Sequence, residues 1–147
     1  MPARYSRTLP DDPASTWSFA PAPDVVVVNL GTNDFAGGDP GAPFVDAYTD
    51  FAAAIRGRYP SAWILIASSP MIGDSWPEGA MHRTIANGYL ADVVARRREA
   101  GDARIATMDV AEQLASDGYG CDYHPNEITA RKMADVAVAK IREVTGW

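Results

Sequence analysis

The sequence predicts an α/β fold with a parallel sheet, because three short apolar segments alternate along the chain with three helical segments. Parallel strands are joined by crossovers of this kind, which are right-handed. The apolar segments are continuous runs, as is typical of strands covered on both faces. The chain has 147 residues, 47% of them apolar, which is enough for one domain with one core.

The first half of the chain predicts a lead-in, a strand and a helix. Residues 1–23 are rich in Pro, Asp and Ser and predict an irregular lead-in, while residues 24–147 predict the folded domain. The β-branched run of residues 24–30 predicts a strand covered on both faces. A helix that ends at Tyr59-Pro60 follows. Its inward side chains recur at helical spacing: Phe44, Tyr48, Phe51, Ala52 and Ile55.

The second half repeats the alternation. Residues 63–68 and 104–108 predict the second and third strands, and residues 78–99 predict the helix between them. Residues 128–144 predict a last amphipathic helix with Ala134, Val138 and Ile141 facing inward.

Composition excludes several functions. The net charge of -6 leaves no basic stripe for nucleic acid and no polybasic segment for an anionic membrane. The single cysteine, Cys121, cannot form an internal disulfide, and no Cys/His cluster has zinc-site spacing. The first residues have no apolar signal-peptide core, and no apolar segment is long enough to span a lipid bilayer. The sequence therefore shows no recognisable targeting signal.

A first polar cluster follows the first strand, where VVVVNL runs into GTND at residues 31–34. Ligands of open parallel sheets bind beyond the carboxyl ends of the strands. Gly31 permits a tight exit, and the amide of Asn33 can donate to a developing negative charge. The alternative is that Asn33 and Asp34 form an Asx turn and cap the next segment.

A second polar cluster, GCDYHPNE, occupies residues 120–127 before the last helix. His124 lies in a turn fixed by Pro125, after a carboxylate and before an expected N-cap at Asn126. A histidine whose ring is held in one orientation in this way can act as a general base. A plain surface turn that contains a histidine is the alternative.

Together, GTND at 31–34 and DYHPN at 122–126 resemble the third and fifth blocks of the SGNH (GDSL-type) hydrolases. The segments VVVNLGTNDF and GCDYHPN are most similar to those of carbohydrate esterase family 2, whose members remove acetyl groups from sugars. The resemblance covers roughly residues 4–147. It implies a three-layer α/β/α, flavodoxin-like fold and an ester substrate, small or carbohydrate, with no metal or cofactor.

Carried over to this sequence, the resemblance implies that Asn33 is the oxyanion-hole amide and His124 the catalytic base. Asp122 would orient the imidazolium, as the acid of a triad does. Many relatives space this block as D-x-x-H-P, whereas here it is D-x-H-P. One residue reverses the direction of a side chain in an extended segment. A main-chain carbonyl therefore remains the alternative partner of the ring.

The sequence departs from the family pattern in its nucleophile. No GDS block precedes residue 24, so we expect the serine upstream of this chain and a sheet of about three strands instead of five. Gly73-Asp74-Ser75 spells GDS after the second strand, which is the wrong order, and makes Ser75 a weak substitute. The alternative function is a catalytically inactive or partner-binding module.

A truncated sheet has a mechanical consequence. Without a neighbouring strand, residues 25–28 would present unpaired main-chain groups along an apolar edge, and such an edge pairs readily with another chain. We therefore expect self-association or a requirement for an additional N-terminal segment.

Overall fold

A three-stranded parallel sheet with strand order β1-β2-β3 forms the centre of the computed structural model, which describes residues 4–147. The first three residues of the predicted lead-in lie outside the described part. The strands are β1 (Val25–Asn29), β2 (Trp63–Ala67) and β3 (Ile105–Met108). The helices are α1 (Ala42–Arg58), α2 (His82–Glu99) and α3 (Glu127–Thr145). The predicted fold class is confirmed.

The sheet separates two apolar layers, because successive side chains of a strand point to opposite faces. Ile64 and Ile66 of β2 pack with α1 and α2, while Leu65 and Ala67 pack on the α3 side. The predicted inward face of α1 is confirmed, since Tyr48, Phe51, Ala52 and Ile55 are buried and Phe44 packs against them. None of the helices among the described residues is long and apolar enough to cross a membrane.

The lead-in lies against the α1 side of the domain and contains no strand among the described residues. Tyr5 packs edge-on against Phe51 at 5.1 Å between ring centroids, and Phe19 lies 6.1 Å from Tyr59. Four aromatic rings, two from the lead-in and two from α1 and its C-terminal end, thus hold an otherwise irregular segment in place.

The prediction for the inward face of α3 was wrong at two positions. Ala134 and Val138 are exposed, Val138 with 47% of its surface accessible. The side chains that pack against the sheet are instead Met133, Val136, Ala137, Ile141 and Val144. Both stripes have helical spacing and share Ile141, and the stripe with the larger side chains buries more apolar surface.

The prediction that β1 is covered on both faces was also wrong. Of its four valines only Val28 is buried, and Val27 is 44% exposed. Val26 and Val28 contribute to the layer under α1, whereas Val25 and, by alternation, Val27 face the α3 side. On that side α3 lies over β3, so the outer part of β1 has little cover.

The outer edge of β1 has no strand partner among residues 4–147. The main-chain N–H of Trp63 donates to the carbonyl of Asp24 at 2.8 Å. Alternate residues of a parallel strand point their N–H and C=O groups to the same side. Those of Val25, Val27 and Asn29 therefore point away from β2.

The predicted start of α2 at residue 78 was four residues too early, since the helix begins at His82. Asp74 accepts hydrogen bonds from both the main-chain N–H and the hydroxyl of Thr84, at 2.9 and 2.6 Å. A carboxylate from ten residues upstream thus caps the helix, and Met81 before it is left-handed, with φ of 52°.

Candidate active site

The first corner of the site is the exit of β1. Gly31 is buried with φ of +115°, a conformation that favours glycine, and a Cβ there would lie 3.1 Å from the Phe44 ring. Its carbonyl accepts hydrogen bonds from the main-chain N–H groups of Asp34 and Phe35. This tight turn brings Asn33 to the surface, where its side-chain amide makes no hydrogen bond to another described residue. The amide is thus available to a ligand.

The second corner is the turn of residues 121–123, directly before His124. Asp122 and Tyr123 both have left-handed backbones, with φ of 52° and 58°. The turn is closed by a main-chain bond from His124 N–H to the Cys121 carbonyl and by another from Gly120 N–H to the His124 carbonyl. Two consecutive left-handed residues other than glycine are uncommon, and strain of this kind is found mostly at functional sites.

The ring of His124 is held by main-chain carbonyls. Its Nδ1 lies 3.0 Å from the Cys121 carbonyl oxygen and 3.1 Å from the Asp122 carbonyl oxygen. A carbonyl only accepts, so Nδ1 carries the proton of the neutral ring and Nε2 carries the lone pair. Of the two predicted arrangements, the structure has the carbonyl contact, and Asp122 supplies its main chain instead of its carboxylate.

Asn33 and His124 line the same open cavity, which has a volume of about 800 Å³. The cavity lies between the carboxyl end of β1 and α1, and Leu30, Thr32 and Met71 also line it. An amide donor and an imidazole with an available Nε2 therefore face one space, as acyl transfer requires.

Tyr48 also lines this cavity, but its hydroxyl is not suited to proton transfer. Burial raises the pKa of Tyr48, and the hydroxyl lies 3.4 Å from the carbonyl of Val28, to which it donates. Tyr48 therefore stays protonated and serves packing against β1.

The GDS sequence of residues 73–75 has a structural role at the start of α2. Asp74 caps α2, and Ser75 is exposed and does not line the cavity that contains His124. The placement of Ser75 gives it no visible base.

The loop before α3 is fixed by residues that the sequence identified only in part. The predicted N-cap is confirmed, because Asn126 accepts a hydrogen bond from the Thr129 main-chain N–H at 3.0 Å. Its amide also donates to the Asp117 carbonyl. Gln113, which is not a predicted site residue, also supports this loop, because its side-chain amide donates to the Tyr123 carbonyl at 2.7 Å. No local pattern marks such a contact, since ten residues separate its partners.

The described residues contain no group of three His, Cys, Asp or Glu side chains that could hold a metal ion.

In open parallel α/β sheets, polar side chains beyond the carboxyl ends of the strands are where ligands bind, and Asn33 and His124 occupy such a position. Residues 2–132 match the model of the GDSL-like lipase/acylhydrolase family. The chain belongs to this family.

Sequence and structure comparisons agree with the predicted resemblance to carbohydrate esterase family 2. The chain is 35% identical to cellulase/esterase CelE of Acetivibrio thermocellus over 98% of its length and 17% of the relative's. It superposes with a TM-score of 0.86 and 35% identity on a family two carbohydrate esterase from Clostridium thermocellum in complex with cellohexaose. The match to a family 2 enzyme with a carbohydrate binding domain from Corynascus thermopiles has a TM-score of 0.87 and 33% identity.

The solved structures are longer than this chain. It covers 43% of the Clostridium thermocellum protein and 45% of the Corynascus thermopiles protein, while 99% and 100% of its own length is matched. The chain therefore spans less than half the length of these two structures.

Proposed function

We propose that this chain is part of an ester hydrolase that removes acetyl groups from carbohydrate. The observation that carries the proposal is the shared cavity of Asn33 and His124, with Nδ1 of the histidine held by main-chain carbonyls. The relatives are esterases, and one was solved with cellohexaose bound, which supports a carbohydrate ester as substrate.

In the proposed reaction a serine hydroxyl attacks the carbonyl carbon of the acetyl ester, and His124 Nε2 takes its proton. The carbonyl oxygen becomes an oxyanion, to which the Asn33 amide donates a hydrogen bond. His124 then gives this proton to the sugar oxygen as the bond between that oxygen and the acetyl carbon breaks, which leaves the acetyl group on the serine. Water attacks the acetyl-serine ester and gives a proton to His124, which returns it to the serine oxygen as acetate leaves. The carbonyls at Nδ1 stabilise the imidazolium because they accept hydrogen bonds from its Nδ1–H.

We propose that the serine comes from polypeptide outside these 147 residues. Ser75 does not line the cavity, and the edge of β1 beside the cavity is unpaired among the described residues. A strand that paired with this edge would end next to the exit of β1, because parallel strands end together at one edge of a sheet. A serine following such a strand would face the cavity.

Two exposed aromatic rings support a carbohydrate substrate. Trp76 is 80% exposed in the loop after β2, and Tyr123 is 72% exposed beside His124. Trp76 lies in the loop that contains Met71, and Met71 and His124 both line the cavity. Flat exposed rings offer apolar faces for sugar rings. We expect Trp76→Ala and Tyr123→Ala each to weaken cello-oligosaccharide binding in calorimetry, while Trp147→Ala, at the far end of α3, does not.

The proposal is tested by acetyl ester hydrolysis in two forms of the protein. The 147-residue chain alone should turn over p-nitrophenyl acetate at close to the background rate, and Ser75→Ala should not change that rate. Co-expression with a polypeptide segment that carries a GDS block and pairs with β1 should restore turnover. Activity of the isolated chain that Ser75→Ala abolishes would contradict the proposed origin of the serine.

A second candidate function, a partner-binding module without catalysis, is favoured by the unpaired edge and by the exposure of Val27. A chain of this kind would associate with itself or with another strand through main-chain hydrogen bonds. The two candidates differ in one outcome. If a bound GDS segment restores no turnover although the complex forms, the chain is a binding module.

A further inference from the structure

The loop that carries His124 depends on a backbone conformation that needs support. The carbonyls of Cys121 and Asp122 converge on Nδ1 because Asp122 and Tyr123 are both left-handed. Residues in this region relax to a commoner conformation unless their surroundings hold them. Relaxation of either residue would turn the Asp122 carbonyl away from the ring.

Gln113 contacts this loop at its strained point. Its side-chain Nε2 donates to the carbonyl of Tyr123 at 2.7 Å. Its own main-chain N–H donates to the Pro70 carbonyl at 2.9 Å, in the loop that leaves β2. Gln113 thus ties the second left-handed residue to a part of the chain that the sheet fixes.

The contact with the Tyr123 carbonyl fixes the orientation of the Gln113 side-chain amide. Only a donor can face a carbonyl oxygen, so the amide orientation is fixed with Nε2 toward Tyr123. The other end, Oε1, is buried and has no partner among the described residues. Among the described residues, the Gln113 side chain therefore hydrogen-bonds to the Tyr123 carbonyl alone.

We propose that Gln113 is a positioning residue for His124: it holds the peptide between Tyr123 and His124, so that the turn keeps the Cys121 and Asp122 carbonyls in place to accept hydrogen bonds from Nδ1–H. The lone pair of the neutral ring then stays on Nε2, the nitrogen that faces no main-chain acceptor. The importance of this tautomer for catalysis rests on the proposed hydrolase function. The tautomer itself can be measured in the isolated chain without any turnover.

The test is a two-bond ¹H–¹⁵N correlation spectrum of the histidine rings at a pH of about 8.5, where an ordinary imidazole is neutral. The chain has two histidines, so His82 in α2 is an internal reference. The variants are Gln113→Leu, which removes the amide, and Gln113→Glu, which keeps its shape but places an ionised acceptor against the Tyr123 carbonyl. Lys132→Gln is the matched control, because it breaks the ion pair with Asp117 in the same loop and leaves Gln113 intact.

We expect the Nδ1–H form of His124 to predominate in the wild type and in Lys132→Gln. In both Gln113 variants its fraction should fall by at least about half, while the His82 nitrogens and the melting temperature stay close to wild type. Wild-type nitrogen shifts of His124 in a folded Gln113 variant would overturn the proposal. An equal loss in Lys132→Gln would also overturn it, since any loosening of the loop would then suffice. Unfolding of both Gln113 variants would show a role in the fold instead. None of these outcomes depends on hydrolysis, so the proposal can fail while the proposed function stands.

Discussion

Thr32 and Ser69 join the loops that leave β1 and β2 through a hydrogen bond of 2.7 Å between their hydroxyl oxygens. Ser69 is buried, and its Oγ also accepts the main-chain N–H of Met71 at 3.1 Å. Asn33 directly follows Thr32, so this bond fixes the start of the segment that carries the proposed oxyanion donor. Two strand ends thereby behave as one rim of the cavity.

Thr32→Val, which keeps the shape of the side chain, should lower the free energy of unfolding by about 1 kcal/mol. Ser69→Ala should cost more, because it also leaves the Met71 N–H without its partner. In the double variant the loss of unfolding free energy should be smaller than the sum of the two single losses, because both substitutions remove the same hydrogen bond. Urea denaturation of the four proteins measures this. Strictly additive losses would show that the hydroxyl contact contributes nothing.

Arg56 and Asp102 form a buried ion pair at the opposite end of the sheet, where the two side chains are 17% and 2% exposed. The pair is bidentate, with bonds of 3.0 and 2.9 Å. Asp102→Asn would leave a mostly buried guanidinium without its counter-charge and should cost about 3 kcal/mol of unfolding free energy. Asp46→Asn is the control: its pair with Arg96 is 65% and 46% exposed, so its loss should cost less than about 1 kcal/mol. Similar losses in the two variants would contradict this account.

Asp74 predicts a pH dependence of stability. Hydrogen bonds from Thr84 hold the pKa of the Asp74 carboxyl below its usual value of 3.8. A lowered pKa means that the folded state favours the ionised form, so this stabilisation is present above the usual pKa and is lost as pH falls through the folded value. Asp74→Ala should therefore unfold more easily than wild type at pH 7, and the difference should shrink below about pH 4. Thermal unfolding across this range measures it, with Ser75→Ala as the neighbouring control. A difference that stays constant with pH would rule out the carboxylate cap.

The outer edge of β1 predicts self-association of the isolated chain. Val27 is 44% exposed, so Val27→Lys places a charge on the edge without emptying the core. We expect the wild type to form dimers or larger species in light scattering at micromolar concentration, and Val27→Lys to shift them toward monomer. Val138→Lys, on the similarly exposed outer face of α3, should leave association unchanged. A wild-type chain that remains monomeric over the concentration range would contradict the expectation.

The order of the elements was predictable because period and turn chemistry are local. The valine run before Gly31 and the Tyr59-Pro60 helix end both express short-range preferences of the main chain. The errors arose where tertiary contacts decide. Asp74 delays α2 from ten residues away, and the packing of Met133 sets the inward face of α3.

The sequence predicts the two central residues of the candidate site, but it does not predict the hydrogen bonds that hold their loops in place. Asn33 and His124 stand in recognisable patterns, and the rule that strand ends meet at one edge placed them together. Thr32 with Ser69 and Gln113 with Tyr123 are pairs of common residues separated by 37 and 10 positions. No periodicity or motif marks them, because their partners are chosen by the folded chain.

The most direct test of the shared centre compares four variants in the form of the protein that includes the serine-bearing segment. The measured quantity is kcat/KM for p-nitrophenyl acetate. We predict a loss of about 10²-fold for Asn33→Ala and of about 10⁴-fold or more for His124→Ala. Asn87→Ala and His82→Ala, both in α2, should remain within about twofold of wild type. Wild-type activity in either Asn33→Ala or His124→Ala would contradict the claim that these two side chains act on one reacting carbonyl.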